Sequence, residues 1–171
     1  MELKNSIRSI EDYPVKGVIF RDITTLLREK DAFQEAIDSL TELAEKYKPD
    51  QIVGVEARGF IIGSALAYKL GCGFVPVRKP GKLPYDKISE SYGLEYGQDV
   101  IEVHVDAIKK GEKVLIVDDL LATGGTSKAA ADLVERLGGE VLSFLFMIEL
   151  SDLNGRKLLE GYEVESLLKY D

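Results

Sequence analysis

The sequence predicts an α/β domain with a central, mostly parallel sheet flanked by helices. Short apolar runs alternate along the chain with segments of helical period, which is the pattern of strands joined by crossover helices. One run also ends where such sheets bind ligands. In "KVLIVDDLLATGGTSKAA", residues 113–130, an apolar strand meets two carboxylates, a glycine turn and a helix start.

Taken in order, "DAFQEAIDSLTELAEKYKPD" opens with Asp31 and Gln34 at capping-box-like spacing. It places Phe33, Ile37, Leu40, Ala44 and Tyr47 at helical intervals and stops at Pro49. "QIVGV" is a short strand, and "GFIIGSALAYKLG" a mostly apolar, largely buried helix ended by Gly71. "GFVPV" is the next strand. "DVIEVHVDAI" alternates Ile101, Val103 and Val105 with Glu102, His104 and Asp106, so it reads as half exposed. "KVLIV" is a fully buried strand, and "TSKAAADLVERLGG" a helix with Ala130, Leu133, Val134 and Leu137 inward. "EVLSFLFMIEL" is a long strand, and "GYEVESLLKYD" a final one after the Asn154–Gly155 turn.

Two segments break the alternation. The first 30 residues fit it poorly and read as a small hood over one sheet edge. Residues 78–99 have no convincing period, and a loop of about 20 residues inside a compact domain is more often functional or mobile than filler. The expectation is one domain over residues 1–171, with 1–30 as the hood and 78–99 as a flexible active-site loop.

Composition narrows the function classes. The chain has 171 residues, a net charge of −8, one cysteine (Cys72) and one histidine (His104). An intrachain disulfide is impossible and a multi-histidine metal cluster is excluded. The acidic balance opposes binding to nucleic acid or anionic membranes. No apolar run approaches the ~20 residues of a membrane span. The amino terminus has no apolar signal region, so a cytoplasmic location is expected.

The motif at residues 113–130 can be read chemically. A helix starting near Thr126 offers backbone N–H groups at the positive end of its dipole. Gly124 and Gly125 remove the Cβ atoms that would hold a ligand away, and Thr123, Thr126 and Ser127 add hydroxyls. That chemistry suits a phosphate monoester, and neither a Walker loop nor a G-x-G-x-x-G fingerprint is present. Asp118 and Asp119 then suit the vicinal hydroxyls of a sugar, because an ionised carboxylate accepts and does not donate. They could also sit near a magnesium ion or offset positive charge on a sugar ring; the alternative is a plain strand–turn–helix with Asp119 as a turn or cap residue. Arg58 lies between a strand and a helix, where its guanidinium could clamp a pyrophosphate. Arg78, Lys79 and Lys82 form a basic cluster beside the long loop, read either as a solvated patch or as an anion site. Phe20 could stack on a purine, with Ile19 and Arg21 at its edge, although a core phenylalanine is the ordinary reading. His104 reads as an exposed strand residue and Cys72 as a buried helix end.

"VLIVDDLLATGGT" resembles the phosphoribosyl pyrophosphate (PRPP) signature of type I phosphoribosyltransferases. "GVIFRDITTLL", "GVEARGFIIGSALAYKLG", "PVRKPGKLP" and "LEYGQDVIEVHVDAI" are similar to successive blocks of the adenine phosphoribosyltransferase family, so that the likeness runs from about residue 5 to 170. The resemblance implies the type I phosphoribosyltransferase fold and transfer of ribose 5-phosphate from PRPP to adenine, giving AMP and pyrophosphate. It implies Mg²⁺ held mainly by PRPP, with no protein ligand assigned to the metal, and a homodimer with shared sites. It assigns Asp118 and Asp119 to the ribose and Ala122, Thr123, Gly124, Gly125 and Thr126 to its phosphate. Arg58, Lys79 and Lys82 go to pyrophosphate, with Arg78 reaching that ligand in a neighbouring subunit. Ile19, Phe20 and Arg21 go to adenine, and Glu95 and Tyr96 close over the site, Glu95 near the base nitrogen. A cis peptide within residues 56–58 is a further implication. The rivals are a transferase for xanthine, hypoxanthine or guanine, and a PRPP- or nucleotide-sensing regulator without catalysis.

Overall fold

The computed structural model describes residues 2–93 and 98–171. The chain divides into two units, Met1–Ser39 and Leu40–Asp171.

In the first unit, β1 (Arg8–Ile10) pairs antiparallel with β2 (Phe20–Asp22), and the connection contains a cis Tyr13–Pro14 bond. Asp22 fixes the exit from β2. Its carboxylate accepts hydrogen bonds from the Thr24 N–H at 2.9 Å and hydroxyl at 2.6 Å, and from Arg8 Nη2 at 2.5 Å. These contacts, those from Thr24 foremost, hold its pKa down at about 2 and start α1 (Thr24–Arg28). Helix α2 (Lys30–Ala44) follows. The buried stripe of α2 is Ala32, Ala36, Ile37, Leu40 and Ala44. Phe33 and Tyr47, expected inward, are only half-buried, because small alanines centre the stripe on a neighbouring row.

The second unit holds a five-stranded, wholly parallel sheet in the order β4–β3–β7–β8–β9. β3 (Gln51–Val55) leads through α3 (Arg58–Leu70) to β4 (Gly73–Val77) at one edge. The chain then crosses back to β7 (Lys113–Leu121), passes through α4 (Gly125–Arg136) to β8 (Glu140–Leu150), and ends in β9 (Glu163–Tyr170). β3 and β7 are neighbours whose crossovers depart in opposite directions, so their carboxyl ends flank a switch point of the sheet. Ile52, Val53, Val114, Leu115, Ile116 and Val117 are fully buried, which is why these strands read as unbroken apolar runs.

Two features depart from the sequence reading. Helix α3 buries Ile62, Leu66 and Ala67 but exposes Ile61 and Tyr68, so its apolar character is not confined to a core face. The segment 78–99 contains β5 (Lys87–Tyr92), which pairs antiparallel with β6 (Asp99–His104) in a ribbon of its own. β6 buries Glu102 along with Ile101 and Val103, so the alternation there does not mark a solvent face. The Glu102 carboxylate accepts from the Gly81 N–H at 3.0 Å and the Ser89 hydroxyl at 2.8 Å, which satisfies it inside the fold. His104 is half-buried, its Nε2 accepting the Tyr85 N–H at 3.3 Å, and Cys72 is half-buried too.

Candidate active site

At the switch point lies a cleft of about 240 Å³, lined by Glu56 and Arg58 after β3, Lys79, Tyr92 of β5, Asp118 and Asp119 of β7, and Thr126 of α4. The two acids lie within β7 rather than after it, because pairing with β8 continues from Asp118 opposite Phe146 to Leu121 opposite Glu149. A second, smaller hollow is walled by residues 121–127 and shares Asp118, Leu120 and Thr126 with the first.

The smaller hollow is the turn from β7 into α4. Gly124 takes φ +89°, a conformation that costs little only without a side chain, and its carbonyl accepts the first helical bond from Lys128 N–H at 3.0 Å. Gly125 sits under the Tyr92 ring, which a Cβ would meet at 3.1 Å. Ala122, Thr123, Gly124, Gly125 and Thr126 together wall the smaller hollow.

The larger cleft is built from charges that the fold pairs with each other. Arg58 opens α3 and donates from Nε to Asp119 at 2.6 Å. Glu56, nearly buried, gathers the basic cluster: Arg78 Nε at 3.0 Å and the Lys79 N–H at 3.3 Å reach one carboxylate oxygen, and Lys82 Nζ at 2.7 Å the other. The Lys82 contact leads in holding the Glu56 carboxyl below its usual range. The basic cluster, just after β4, is also tied to β6 by paired backbone bonds between Arg78 and Glu102, at 3.0 and 2.7 Å. The Glu56–Ala57 peptide bond is cis, as the resemblance implied.

Asp118 has the opposite electrostatics. Burial of its carboxyl, and then repulsion from Asp119, raise its pKa well above 3.8. Gly59 packs so closely that a Cβ there would lie 2.9 Å from Asp118 Oδ1, the atom that accepts the Asp119 N–H at 2.8 Å. The folded state therefore binds more protons than the unfolded chain once pH exceeds 3.8, and stability falls as pH rises through the folded value. Asp118→Asn is expected to raise the melting temperature at pH 8, with the gain shrinking as pH is lowered towards 4. A gain that grows on acidification in thermal melts would contradict this sign.

The sequence-nominated residues thus fall in two places. Arg58, Arg78, Lys79, Lys82, Asp118, Asp119 and residues 122–126 all belong to the second unit, around the two hollows. Ile19, Phe20 and Arg21 belong to the first unit: Phe20 meets Tyr13 edge-on at 5.3 Å, and Arg21 Nη1 donates to Ser9 Oγ at 2.6 Å. Glu95 and Tyr96 lie outside the described residues. The side chain of Glu56, the Tyr92 ring and the buried Glu102 went unassigned from sequence. The acid directly before Ala57-Arg58, at the end of an apolar strand, was the available signal for the first; the others had none.

Residues 22–166 match the phosphoribosyl transferase domain family. A curated adenine phosphoribosyltransferase of Brachyspira hyodysenteriae is 63% identical over 170 residues, covering 99% of this chain and 100% of that protein. The crystal structure of adenine phosphoribosyltransferase from Thermoanaerobacter pseudethanolicus superposes with TM-score 0.96 at 54% identity, over 99% of this chain and 98% of that one. That from Saccharomyces cerevisiae, solved with an imino-altritol bisphosphate and adenine, gives TM-score 0.91 at 43% identity, over 98% and 97%. The chain is a type I phosphoribosyltransferase by fold and family. Within that class it belongs to the adenine phosphoribosyltransferases, which are pentosyltransferases.

Proposed function

We propose that this protein works in purine salvage, moving ribose 5-phosphate from PRPP to N9 of adenine with release of AMP and pyrophosphate. The observation that carries this reading is the adjacency of the two hollows. One sets Arg58 and Lys79 beside Glu56, Asp118 and Asp119, the other is walled by a glycine turn, and they meet at Asp118, Leu120 and Thr126. A ligand with an anion at each end and a diol between them matches that order.

In this reading Ala122, Thr123, Gly124, Gly125 and Thr126 bind the 5′-phosphate through backbone N–H and hydroxyl groups. Asp118 and Asp119 accept from the ribose hydroxyls. Arg58, Lys79 and Lys82 take the pyrophosphate, Arg58 exchanging its Asp119 partner for phosphate oxygens. As the bond from C1′ to pyrophosphate oxygen breaks and the bond to N9 forms, positive charge builds on the ribose ring. Asp118 and Asp119, beside that ring, are placed to offset the developing charge. Ile19, Phe20 and Arg21 hold the base, while Glu95, near the base nitrogen, and Tyr96 close the site and exclude water.

Mg²⁺ enters with PRPP. Asp118 and Asp119 are hard oxygen donors of the kind that hold magnesium through its water shell. In this reading the ion is carried mainly by PRPP, with no protein ligand of its own. When bound it neutralises the leaving pyrophosphate. The functional unit is a cytoplasmic homodimer in which Arg78 reaches the partner's pyrophosphate; Ile61 and Tyr68 give α3 the exposed apolar surface a second copy would cover. Among the described residues no helix is long and apolar enough to cross a membrane, and the net charge of −8 disfavours nucleic acid.

Phosphorus NMR of the protein with PRPP, Mg²⁺ and adenine tests the reading. AMP and pyrophosphate should appear in equal amounts and stop on chelation of magnesium; consumption of PRPP without AMP would overturn it.

A further inference from the structure

An ion pair outside the cleft, buried at its carboxylate end and half-exposed at its guanidinium, is used by none of the steps above. Glu149, at the carboxyl end of β8 and 6% exposed, receives a two-pronged contact from Arg156, Nε at 2.8 Å and Nη2 at 2.9 Å. Ser166 Oγ donates to the same carboxylate at 2.6 Å, and Arg156 Nη1 reaches the Val164 carbonyl at 3.1 Å. The pair thereby ties the short 3₁₀ segment Gly155–Leu159 to both β8 and β9. Arg156 is the main cause of the depressed Glu149 pKa, as expected of a charge pair formed in the folded state.

What this clamp holds in place is Gly155. An ideal Cβ on Gly155 would collide with the Ala122 carbonyl oxygen and lie 2.8 Å from Leu121 Cδ1. Conversely, a Cβ on Gly124 would lie 2.6 Å from the Gly155 carbonyl oxygen. The glycine turn is therefore seated backbone to backbone on Gly155, with no side chain between to act as a cushion. Glu149 is also the ladder partner of Leu121, the residue just before the turn, so the clamp and the turn share one strand register.

We propose that Gly155, held by the Arg156–Glu149 pair, is a positioning element that sets the turn 122–126 in the geometry that receives the ribose 5′-phosphate. This rests on the assignment of that turn to the 5′-phosphate. A displacement of about 1 Å in such a cradle is enough to lose on the order of tenfold to a hundredfold in binding or rate. The effect is confined to one end of the ligand, because Arg58 and the Glu56-anchored cations belong to other elements.

Calorimetric titration with ribose 5-phosphate and, separately, with Mg²⁺-pyrophosphate tests this on the full-length protein. Gly155→Ala is expected to weaken ribose 5-phosphate about tenfold or more and leave pyrophosphate within about twofold. Arg156→Ala should do the same more mildly, with Arg156→Lys between it and the wild type because lysine keeps charge but not the fork. In turnover these variants raise KM for PRPP and leave KM for adenine unmoved. Equal losses for both ligands would mean mere destabilisation and overturn the proposal. If Gly155→Ala does not fold, the Arg156 series decides alone: no change in ribose 5-phosphate affinity across it overturns the proposal. Thr126→Ala separates the two levels. If it weakens ribose 5-phosphate while the Gly155 and Arg156 variants do not, the positioning role fails and the phosphate assignment stands; if it too has no effect, the phosphate assignment fails and the proposal with it.

Discussion

Asp119→Asn is expected to lower kcat/KM for PRPP by about 10²–10³, the loss typical of removing one preorganised electrostatic contact from a transition state. Asparagine keeps the volume and one carbonyl oxygen for Arg58, but it replaces an acceptor by an amide donor facing the ribose hydroxyls. The charge that would oppose the developing cation is lost as well. The fold should be almost unaffected. Arg58 is 44% exposed and hydrates readily, and repulsion between Asp118 and Asp119 is relieved. A net stability change of about 1 kcal/mol or less would move the melting temperature by only about 2–4 °C. Steady-state kinetics beside a thermal melt check both halves, and near-normal kcat/KM would sink the ribose assignment.

Arg58→Ala should reduce kcat/KM for PRPP by about 10- to 100-fold, since charge-assisted hydrogen bonds to phosphate are each worth about 1.5–3 kcal/mol. Unlike Asp119→Asn, it should also destabilise. Asp119 is only 8% exposed, and its 2.6 Å partner would be gone with Asp118 still beside it. Leaving a nearly buried carboxylate in that state costs about 1–3 kcal/mol. The double variant Arg58→Ala/Asp119→Asn separates the two effects. It should recover most of the melting temperature and none of the activity. If stability stays low in the double variant, the pair is not what Arg58 contributes to the fold.

How far these residues could be found without a structure depends on sequence distance. The run Val114–Val117 and the turn at Gly124 and Gly125 are local signals, and a strand buried on both faces in a parallel sheet must read as an apolar run. The ribbon strand β5, "KISESY", is solvated on one side and short, so its polar alternation reads as loop. Glu102 reads as a surface residue for a related reason. A charged residue alternating with Ile101 and Val103 is normally at the surface, and only the Gly81 and Ser89 donors make its burial tolerable. The pairs that organise the cleft, Arg58 with Asp119 and Glu56 with Arg78 and Lys82, join residues that only the sheet order brings together. No period encodes them. Ile19, Phe20 and Arg21 were nominated by resemblance, because a single aromatic after two aliphatics has an ordinary core reading.

The central claim is that this site uses PRPP and chooses adenine. Pyrophosphate release, followed continuously with PRPP and Mg²⁺ while adenine, hypoxanthine, guanine and xanthine are supplied in turn, tests it most directly. Release dependent on adenine, with kcat/KM for each of the other bases lower by about 10² or more, is the expected result. Faster release with an oxo-purine, or no release with any base, would contradict it.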